Sequence, residues 1–299
     1  MGLSASLTAR RAKALLEGTT TGLTLAPLFS GVFLLPATDF AMAEQTAQCP
    51  VSEEIVLAAE DSFFPYSGLH QGELRGFAVD LVTAALSAEH CSVTLNVMPY
   101  NRCIREVAQG RQLGCFDTTG SDENRRNYIF HETPLFFGKI LIYSHPDNTA
   151  AFHPGFFKDK TFSVVRGFTY TDAFDADETI SKIEVDSDLQ TLTLVAKRRS
   201  DYAVVYERVA AYHISNSQNL ISPAPKAVHE LARFGLFVSF SKQTPERSNA
   251  VAELLDHGLK TIHENGTYAE IEATWDTWLT NGLKEGQPAP HWESLKDAR

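Results

Sequence analysis

The stretch IVLAAEDSFFPYSGLHQGELRGFAVDL, residues 55–81, decides the fold. Residues 55–61 predict a strand, and the run from Gly76 to Leu81 predicts the opening of a helix. Between them lie an acid, a cluster of aromatic residues and a turn through Gly72. A strand that ends in such side chains presents them at its carboxyl edge, where open α/β sheets bind small ligands. The stretch therefore predicts an α/β protein with a ligand site at this edge.

The rest of the chain continues the alternation of strands and helices, which implies parallel sheets. The alternation breaks near residues 145–154, and a late strand and a long helix suggest that the chain returns to its first half. We therefore expect a two-lobed α/β fold, with parallel-rich sheets joined by two crossing hinge strands. The expected parts are a discontinuous first lobe (50–143 plus 236–282), an inserted second lobe (146–233) and a loosely ordered tail (283–299). Further strands are predicted at residues 92–98, 113–118, 139–144, 161–166, 183–185, 201–206 and 234–241.

Residues 1–43 have the three parts of a secretory signal peptide. Basic residues occur within positions 10–13, residues 22–36 form a short apolar run, and AMA at residues 41–43 is a small-x-small cleavage site. Prolines interrupt the apolar run, which favours cleavage over an uncleaved anchor helix. We therefore expect export to the periplasm. No later run of 18 residues is apolar, so no further transmembrane helix is predicted.

The charge and the cysteines limit the class of protein. The formal net charge is −11, which argues against nucleic acid or an anionic membrane surface as a partner. An even number of cysteines in an exported chain indicates disulfides. Cys49 and Cys91 precede adjacent strands and are the first pairing to consider, which would leave Cys103 with Cys115, but the sequence does not choose among the three connectivities. No C-x-x-C spacing occurs, so no zinc or other metal site is predicted.

Several motifs resemble, in order, those of the family 3 extracellular solute-binding proteins, the periplasmic receptors of ABC importers. GFAVDL at residues 76–81 resembles the family's G-F-x-x-D-[LI] signature, and DENR at residues 122–125 resembles its T-x-E-R segment. The resemblance covers nearly the whole mature chain. The other matching pieces are MPYNR (98–102), VRGFTY (165–170), AKRRSDYAVV (196–205, with Lys197 in place of a glycine) and GTYA (266–269) followed by Trp275.

The resemblance implies a receptor that captures a small polar solute, an amino acid or a related small carboxylate, by hinge closure between two lobes. It implies an ABC permease in the inner membrane as partner, a monomeric state, no cofactor and no enzymatic activity. Two alternatives stay open: a periplasmic ligand-sensing protein, and a dehydratase-like enzyme on the same fold. An acid with a raised pKa beside the ligand clamp would favour the enzyme.

The predicted ligand site is built around Arg125, which occupies the matching family position. Its planar guanidinium can hold a carboxylate through two parallel hydrogen bonds. From the second lobe, the helix that opens after Gly167 offers free N–H groups to an anion, and the aromatic residues near Pro65 could stack on the ligand or simply pack in the core. The predicted ligand-binding residues are Asp61, Phe63, Phe64, Tyr66, Thr118, Thr119, Gly120, Arg125, Arg166, Thr169, Tyr170 and Tyr206.

Tyr206 departs from the family pattern. In members that bind α-amino acids, an acid five residues beyond the aspartate of the A-G-R-x-D element holds the α-ammonium group. Here Asp201 is followed at that distance by Tyr206, which can form hydrogen bonds but cannot neutralise an ammonium. Either Glu207 or Asp61 substitutes for the missing acid, or the ligand is not an ordinary α-amino acid.

Overall fold

Strands and helices alternate along the computed structural model, which describes residues 48–149, 153, 155 and 157–296. The predicted signal peptide lies outside the described residues. The strands are β1 (Ile55–Glu60), β2 (Ser62–Phe63), β3 (Ser67–His70), β4 (Glu73–Arg75), β5 (Val93–Met98), β6 (Gly114–Thr119), β7 (Ile129–Phe130), β8 (Phe136–Ser144), β9 (Thr161–Val165), β10 (Ser181–Val185), β11 (Tyr202–Tyr206) and β12 (Lys226–Phe240). The helices are α1 (Phe77–Ala88), α2 (Tyr100–Ala108), α3 (Asp122–Asn127), α4 (Asp172–Asp175), α5 (Asp188–Ala196), α6 (Glu207–Asn216), α7 (Pro245–Glu264), α8 (Thr267–Thr277) and α9 (Trp292–Lys296), with a π-helical turn at Trp278–Gly282.

One curled mixed sheet joins the two lobes, in the order β10-β9-β11-β8-β12-β6-β1-β5, with β7 beside β12. At one end β1 pairs in parallel with β5 and β6, and at the other β9 pairs in parallel with β10 and β11. Between these ends, β8 and β12 run antiparallel, from Phe136 opposite Leu236 to Ser144 opposite Lys226. The two long central strands are the predicted hinge strands, and the predicted fold class is confirmed. The exact lobe boundaries stay a prediction.

Helices cover the sheet through apolar faces. On the first lobe, α1 packs against α7 so closely that a Cβ at Gly258 would lie 2.1 Å from the Ala85 carbonyl oxygen. This helix pair buries Leu81 and Leu255 completely. Burial of such side chains is the main favourable contribution to folding, roughly 1.5–3 kcal/mol for each.

Both disulfides have the pairing first considered from the sequence. Cys49 bonds to Cys91, and Cys103 bonds to Cys115. The second disulfide ties α2 to the amino-terminal end of β6, where Cys115 is the second residue of the strand. Within the described residues, no helix combines the length and the apolar character that a membrane span requires.

Some elements were not expected from the sequence. The predicted turn after β1 contains a small separate sheet, β2-β3-β4. The strand predicted at residues 234–241 begins earlier, at Lys226. The region predicted as a tail includes α9, where Trp292 is buried and its backbone N–H donates to an Asp80 carboxylate oxygen at 2.9 Å.

Candidate functional site

A small cavity lies between the two lobes, at the carboxyl ends of β1, β6 and β11. Its free volume in this closed arrangement is about 10 Å³, room for about one water molecule. We call it the inner cavity. Its lining residues are Glu60, Phe63, Tyr100, Asp117, Thr119, Phe168, Thr169 and Tyr206.

Two acids on neighbouring strands line the inner cavity: Glu60 ends β1, and Asp117 lies two residues before the end of β6. Glu60 is 3% exposed and Asp117 is 6% exposed. Asp117 has the left-handed backbone conformation, with φ of 57°, which is uncommon for a residue other than glycine. Neither of its carboxylate oxygens has a hydrogen-bond partner among the described residues. A buried carboxyl without partners is unfavourable for folding, so its position calls for a functional explanation.

Burial makes both acids hard to ionise. It raises the pKa of Asp117 to about 8. The pKa of Glu60 is raised well above its usual value, first by burial and then by the negative charge of Asp117. Among the described residues that line the inner cavity, none is Lys, Arg or His. The cavity therefore favours a ligand that brings positive charge or hydrogen-bond donors.

Four aromatic rings form the walls of the inner cavity. Phe63 lies edge-to-face against Phe168 and Tyr206, with centroid distances of 5.8 and 5.1 Å. Phe168 in turn meets Tyr100 at 5.4 Å and 81°. The rings come from both lobes, so the walls are complete only when the lobes are close together.

Two polar contacts cross between the lobes beside the inner cavity. The hydroxyls of Thr119 and Thr169 are 3.2 Å apart. The Asn101 side-chain amide donates to the Arg166 carbonyl oxygen at 3.0 Å. The second contact depends on Gly167, where φ is 81° and a Cβ would lie 1.8 Å from the Asn101 Oδ1 atom. The absence of a side chain at Gly167 thus permits this approach of the lobes.

A wider cleft opens outside the threonine pair, and we call it the cleft mouth. It shares Thr119 and Thr169 with the inner cavity, and three acids line it: Asp122, Asp172 and Asp175. Burial raises the pKa of Asp175, while its carboxylate accepts a hydrogen bond from the Tyr170 backbone N–H. The route into the cavity is therefore acidic.

Of the residues predicted to bind ligand, four line the inner cavity: Phe63, Thr119, Thr169 and Tyr206. They end or follow strands of both lobes, as the sequence predicted for a cleft. Glu207, a possible substitute for the missing acid, instead forms an ion pair with Lys139 at 3.2 Å. Tyr206 itself is buried and packs over Gly138, whose Cβ would lie 2.8 Å from its ring.

Four other predicted residues pack in the interior, outside the lining of the inner cavity. Phe64 contacts an aromatic cluster that includes Trp275 and Trp278, and Tyr66 stacks on Phe136 at 4.5 Å. The Thr118 hydroxyl bonds to the Ser239 hydroxyl at 2.9 Å. The Tyr170 hydroxyl accepts a hydrogen bond from the Val165 backbone N–H at 2.9 Å, and its ring also borders the cleft mouth.

The two arginines that were predicted to bind ligand, Arg125 and Arg166, line neither the inner cavity nor the cleft mouth. The Arg125 Nε donates to the Gly120 carbonyl oxygen at 3.1 Å, and its guanidinium lies 5.2 Å from the rings of Phe130 and Phe237. Arg166 is exposed and forms ion pairs with Glu184 and Asp186 on β10 and just beyond it. Gly120 borders the cleft mouth, and Asp61 is half-buried beside Glu60 without lining the inner cavity.

Sequence reasoning missed four lining residues: Glu60, Tyr100, Asp117 and Phe168. Glu60 was within the predicted first strand, but its neighbour Asp61 was chosen because it came last. Because successive strand residues point to opposite faces, Glu60 lines the inner cavity and Asp61 does not. Asp117 was within the predicted third strand, and an acid near the end of an otherwise apolar strand was the available signal. No group of His, Cys, Asp and Glu that could hold a metal occurs among the described residues.

Comparison with known proteins agrees with this architecture. Residues 55–277 match the bacterial extracellular solute-binding proteins, family 3. One relative is the arginine-binding periplasmic protein of Mannheimia haemolytica, which is 20% identical over 225 residues, or 75% of this chain and 90% of the relative.

Solved structures share the two-lobed fold. A histidine kinase sensor domain with similarity to periplasmic binding proteins superposes with a TM-score of 0.65 at 18% identity, covering 75% of this chain and 96% of that domain. The ancestral amino acid-binding protein AncCDT-1, described as a precursor of cyclohexadienyl dehydratase, has a TM-score of 0.60 at 21% identity, covering 74% of this chain and 95% of its own. At these identities the likeness establishes the fold.

Proposed function

We propose that this chain, which belongs to the bacterial extracellular solute-binding proteins of family 3, is the periplasmic substrate-binding component of an ABC importer. It captures a small polar solute in the inner cavity and delivers it to a permease in the inner membrane. The observation that carries the proposal is the cavity itself, which is lined from both lobes at the carboxyl ends of β1, β6 and β11.

The mechanism of ligand-driven hinge closure is supported by the weakness of the polar contacts that cross the cleft beside the inner cavity. The Thr119–Thr169 and Asn101–Arg166 bonds contribute about 1 kcal/mol each at most, since neutral hydrogen bonds exchange with water. A ligand that touches both lobes adds differential free energy to the closed arrangement and shifts the population toward it. The closed form is the form that a permease would recognise, and β8 and β12 are the strands that bend.

Two alternatives differ from the importer in the role of the closed protein. A sensing protein would bind in the same way and act on a signalling partner, and the likeness to a histidine kinase sensor domain is compatible with this. A dehydratase-like enzyme would use a protonated acid, and the raised pKa values of Glu60 and Asp117 are the feature that favours it. Consumption of a bound solute would support the enzyme, whereas unchanged solute and loss of uptake on gene deletion would support the importer.

Thermal unfolding of the protein purified from the periplasm tests the proposal. The panel contains amino acids, amines, dicarboxylates and other small acids, which includes the solute class implied by the family resemblance. A ligand at roughly 100 times its Kd adds about 2.7 kcal/mol of stability, which raises Tm by about 5–10 °C for a chain of this size. A well-folded protein that responds to no small solute would overturn the proposal.

A further inference from the structure

We propose that the solute held in the inner cavity is a compact organic cation, an ammonium or guanidinium compound that needs no carboxylate for binding. Glu60 and Asp117 form the anionic side of the site, and Phe63, Tyr100, Phe168 and Tyr206 form its walls. This inference rests on the proposed function and names its solute class.

The first argument is the unpartnered carboxyl of Asp117. This side chain is buried and lines the inner cavity, and neither oxygen has a hydrogen-bond partner among the described residues. A ligand ammonium or guanidinium supplies several N–H donors together with the opposite charge. An anionic ligand would supply no such charge, and it would be repelled by Asp117 and by Glu60 on the neighbouring strand wherever either acid is ionised.

The second argument is the arrangement of the aromatic rings. Tyr206, Phe63, Phe168 and Tyr100 follow one another through edge-to-face contacts at 5.1, 5.8 and 5.4 Å. Such an arrangement turns ring faces in different directions around an enclosed space. A cation over an aromatic face is attracted by the ring quadrupole, and the attraction grows when water is excluded. The walls therefore suit a compact cation better than a strongly hydrated anion.

The third argument is the acidic route into the cavity. Asp122, Asp172 and Asp175 line the cleft mouth, and clefts lined by one sign of charge concentrate ligands of the opposite sign. The arginines that a carboxylate ligand would need are engaged elsewhere. Arg125 lies over Phe130 and Phe237, and Arg166 pairs with Glu184 and Asp186.

Binding of a cation should depend on pH. Burial holds protons on Glu60 and Asp117, and the titratable groups that influence them are themselves acids or phenols: Asp61, Tyr66, Tyr100, Asp188 and Tyr206. Because the ligand interacts best with the ionised carboxyls, its affinity should rise from pH 6 to pH 8 and binding should release protons. An anionic ligand would show the opposite trend.

Titration calorimetry on matched pairs of solutes tests the inference. Each pair keeps the cation and differs in the carboxylate: ethanolamine against glycine, choline against glycine betaine, and agmatine against arginine. We expect at least one cation to bind about tenfold or more tightly than its carboxylate partner, and about tenfold more tightly at pH 8 than at pH 6. The pairs that respond also show whether the site needs N–H donors, which ethanolamine and agmatine offer, or only positive charge, which is all that the quaternary ammonium of choline offers.

Variants connect the binding to the two acids. Asp117→Asn and Glu60→Gln should each weaken binding of the responding cation by about tenfold or more. Glu253→Gln, which removes one charge from the exposed face of α7, should leave the affinity unchanged. Circular dichroism and Tm confirm that each variant folds.

Three outcomes would overturn the inference. Tighter binding of the carboxylate members, with affinity falling as pH rises, would keep the receptor function and reject the cation. Unchanged cation affinity in a folded Asp117→Asn protein would place the cation elsewhere. A protein that binds neither class would reject the inference together with the proposed function.

Discussion

Asp80 on α1 and Asp117 on β6 are both buried aspartates of the first lobe, but their surroundings differ. One Asp80 oxygen accepts a hydrogen bond from the Trp275 indole at 2.8 Å, and the other accepts from the Trp292 backbone N–H at 2.9 Å. Neither Asp117 oxygen has a partner among the described residues. Burial raises the pKa of both, to about 6 for Asp80, where the two hydrogen bonds limit the rise, and to about 8 for Asp117.

The difference separates a structural acid from a binding acid. Asp80 fixes α1 to α8 and α9 by satisfying donors that would otherwise be buried without partners. The Asp117 carboxyl accepts no hydrogen bond from any element that the structure describes, and its burial opposes folding. Because a buried polar group of this kind is unfavourable, its presence beside a cavity indicates a partner that comes from outside the chain. Burial alone would not distinguish these two residues.

Asp80→Ala should give the largest effect on stability. The substitution leaves the Trp275 indole N–H and the Trp292 backbone N–H without an acceptor, and each buried unpaired donor costs about 1–3 kcal/mol. We expect a loss of about 3 kcal/mol in the free energy of unfolding, measured by urea denaturation. Asp80→Asn, which keeps one acceptor, should lose less. If Asp80→Ala were as stable as the wild type, the structural role assigned to this acid would be wrong.

More of the fold than of the candidate site could be predicted from the sequence. Strand and helix order follows from patterns that the chain displays locally, whereas the two disulfide pairs were one of three connectivities that the sequence left open. The first half of β12 was not predicted, because four of the eight residues 226–233 (KAVHELAR) are charged residues or histidine and none of the eight is fully buried. This half-strand is held by its antiparallel partner β8, a long-range pairing that leaves no apolar run to detect.

The predicted ligand site and the inner cavity share their strand ends but only some of their side chains. Phe63, Thr119, Thr169 and Tyr206 were predicted as ligand-binding residues and do line the inner cavity, while their contact with ligand stays a prediction. Arg125 occupies the family position, yet its guanidinium lies 5.2 Å from the ring of Phe130, which is nearby in the chain, and 5.2 Å from that of Phe237, which comes from the distant strand β12. Side-chain direction depends on such tertiary packing, which a motif does not record.

Asp117→Asn should have an effect of opposite sign to that of Asp80→Ala. The folded-state pKa of Asp117 lies above the unfolded value, so the folded protein holds a proton that the unfolded chain has lost, and stability falls as pH rises from about 4 to about 8. The substitution removes this contribution. We expect a gain of about 1–3 kcal/mol near pH 7, which disappears near pH 4.

Urea unfolding of the ligand-free wild type and of Asp117→Asn, at unit steps from pH 4 to pH 8, measures this gain. Both proteins retain a pH slope from the other buried acids, so the difference between the two curves is the quantity to compare. A constant difference across the range, or a loss of stability in the variant, would contradict a raised pKa at Asp117 and remove the contrast with Asp80.

Thr169 has a hydrogen-bond partner, as Asp80 does, but borders the inner cavity, as Asp117 does. Its substitution should give the smallest of the three effects. Its hydroxyl is 3.2 Å from that of Thr119 across the cleft, so the partner is available when the lobes are close together. Thr169→Val should leave the unfolding of the ligand-free protein nearly unchanged. It should weaken ligand binding about fivefold, roughly the 1 kcal/mol of one neutral hydrogen bond.

Calorimetry with the solute identified by the panel measures the affinity, and Thr274→Val is the matched control, because the Thr274 hydroxyl bonds within its own helix to the Glu270 carbonyl oxygen. Equal losses of stability and of affinity in Thr169→Val would make the threonine pair part of the structural framework, as Asp80 is. A loss of affinity without a loss of stability would assign Thr169, like Asp117, to ligand binding, because its hydrogen bond would then form when the ligand closes the cleft.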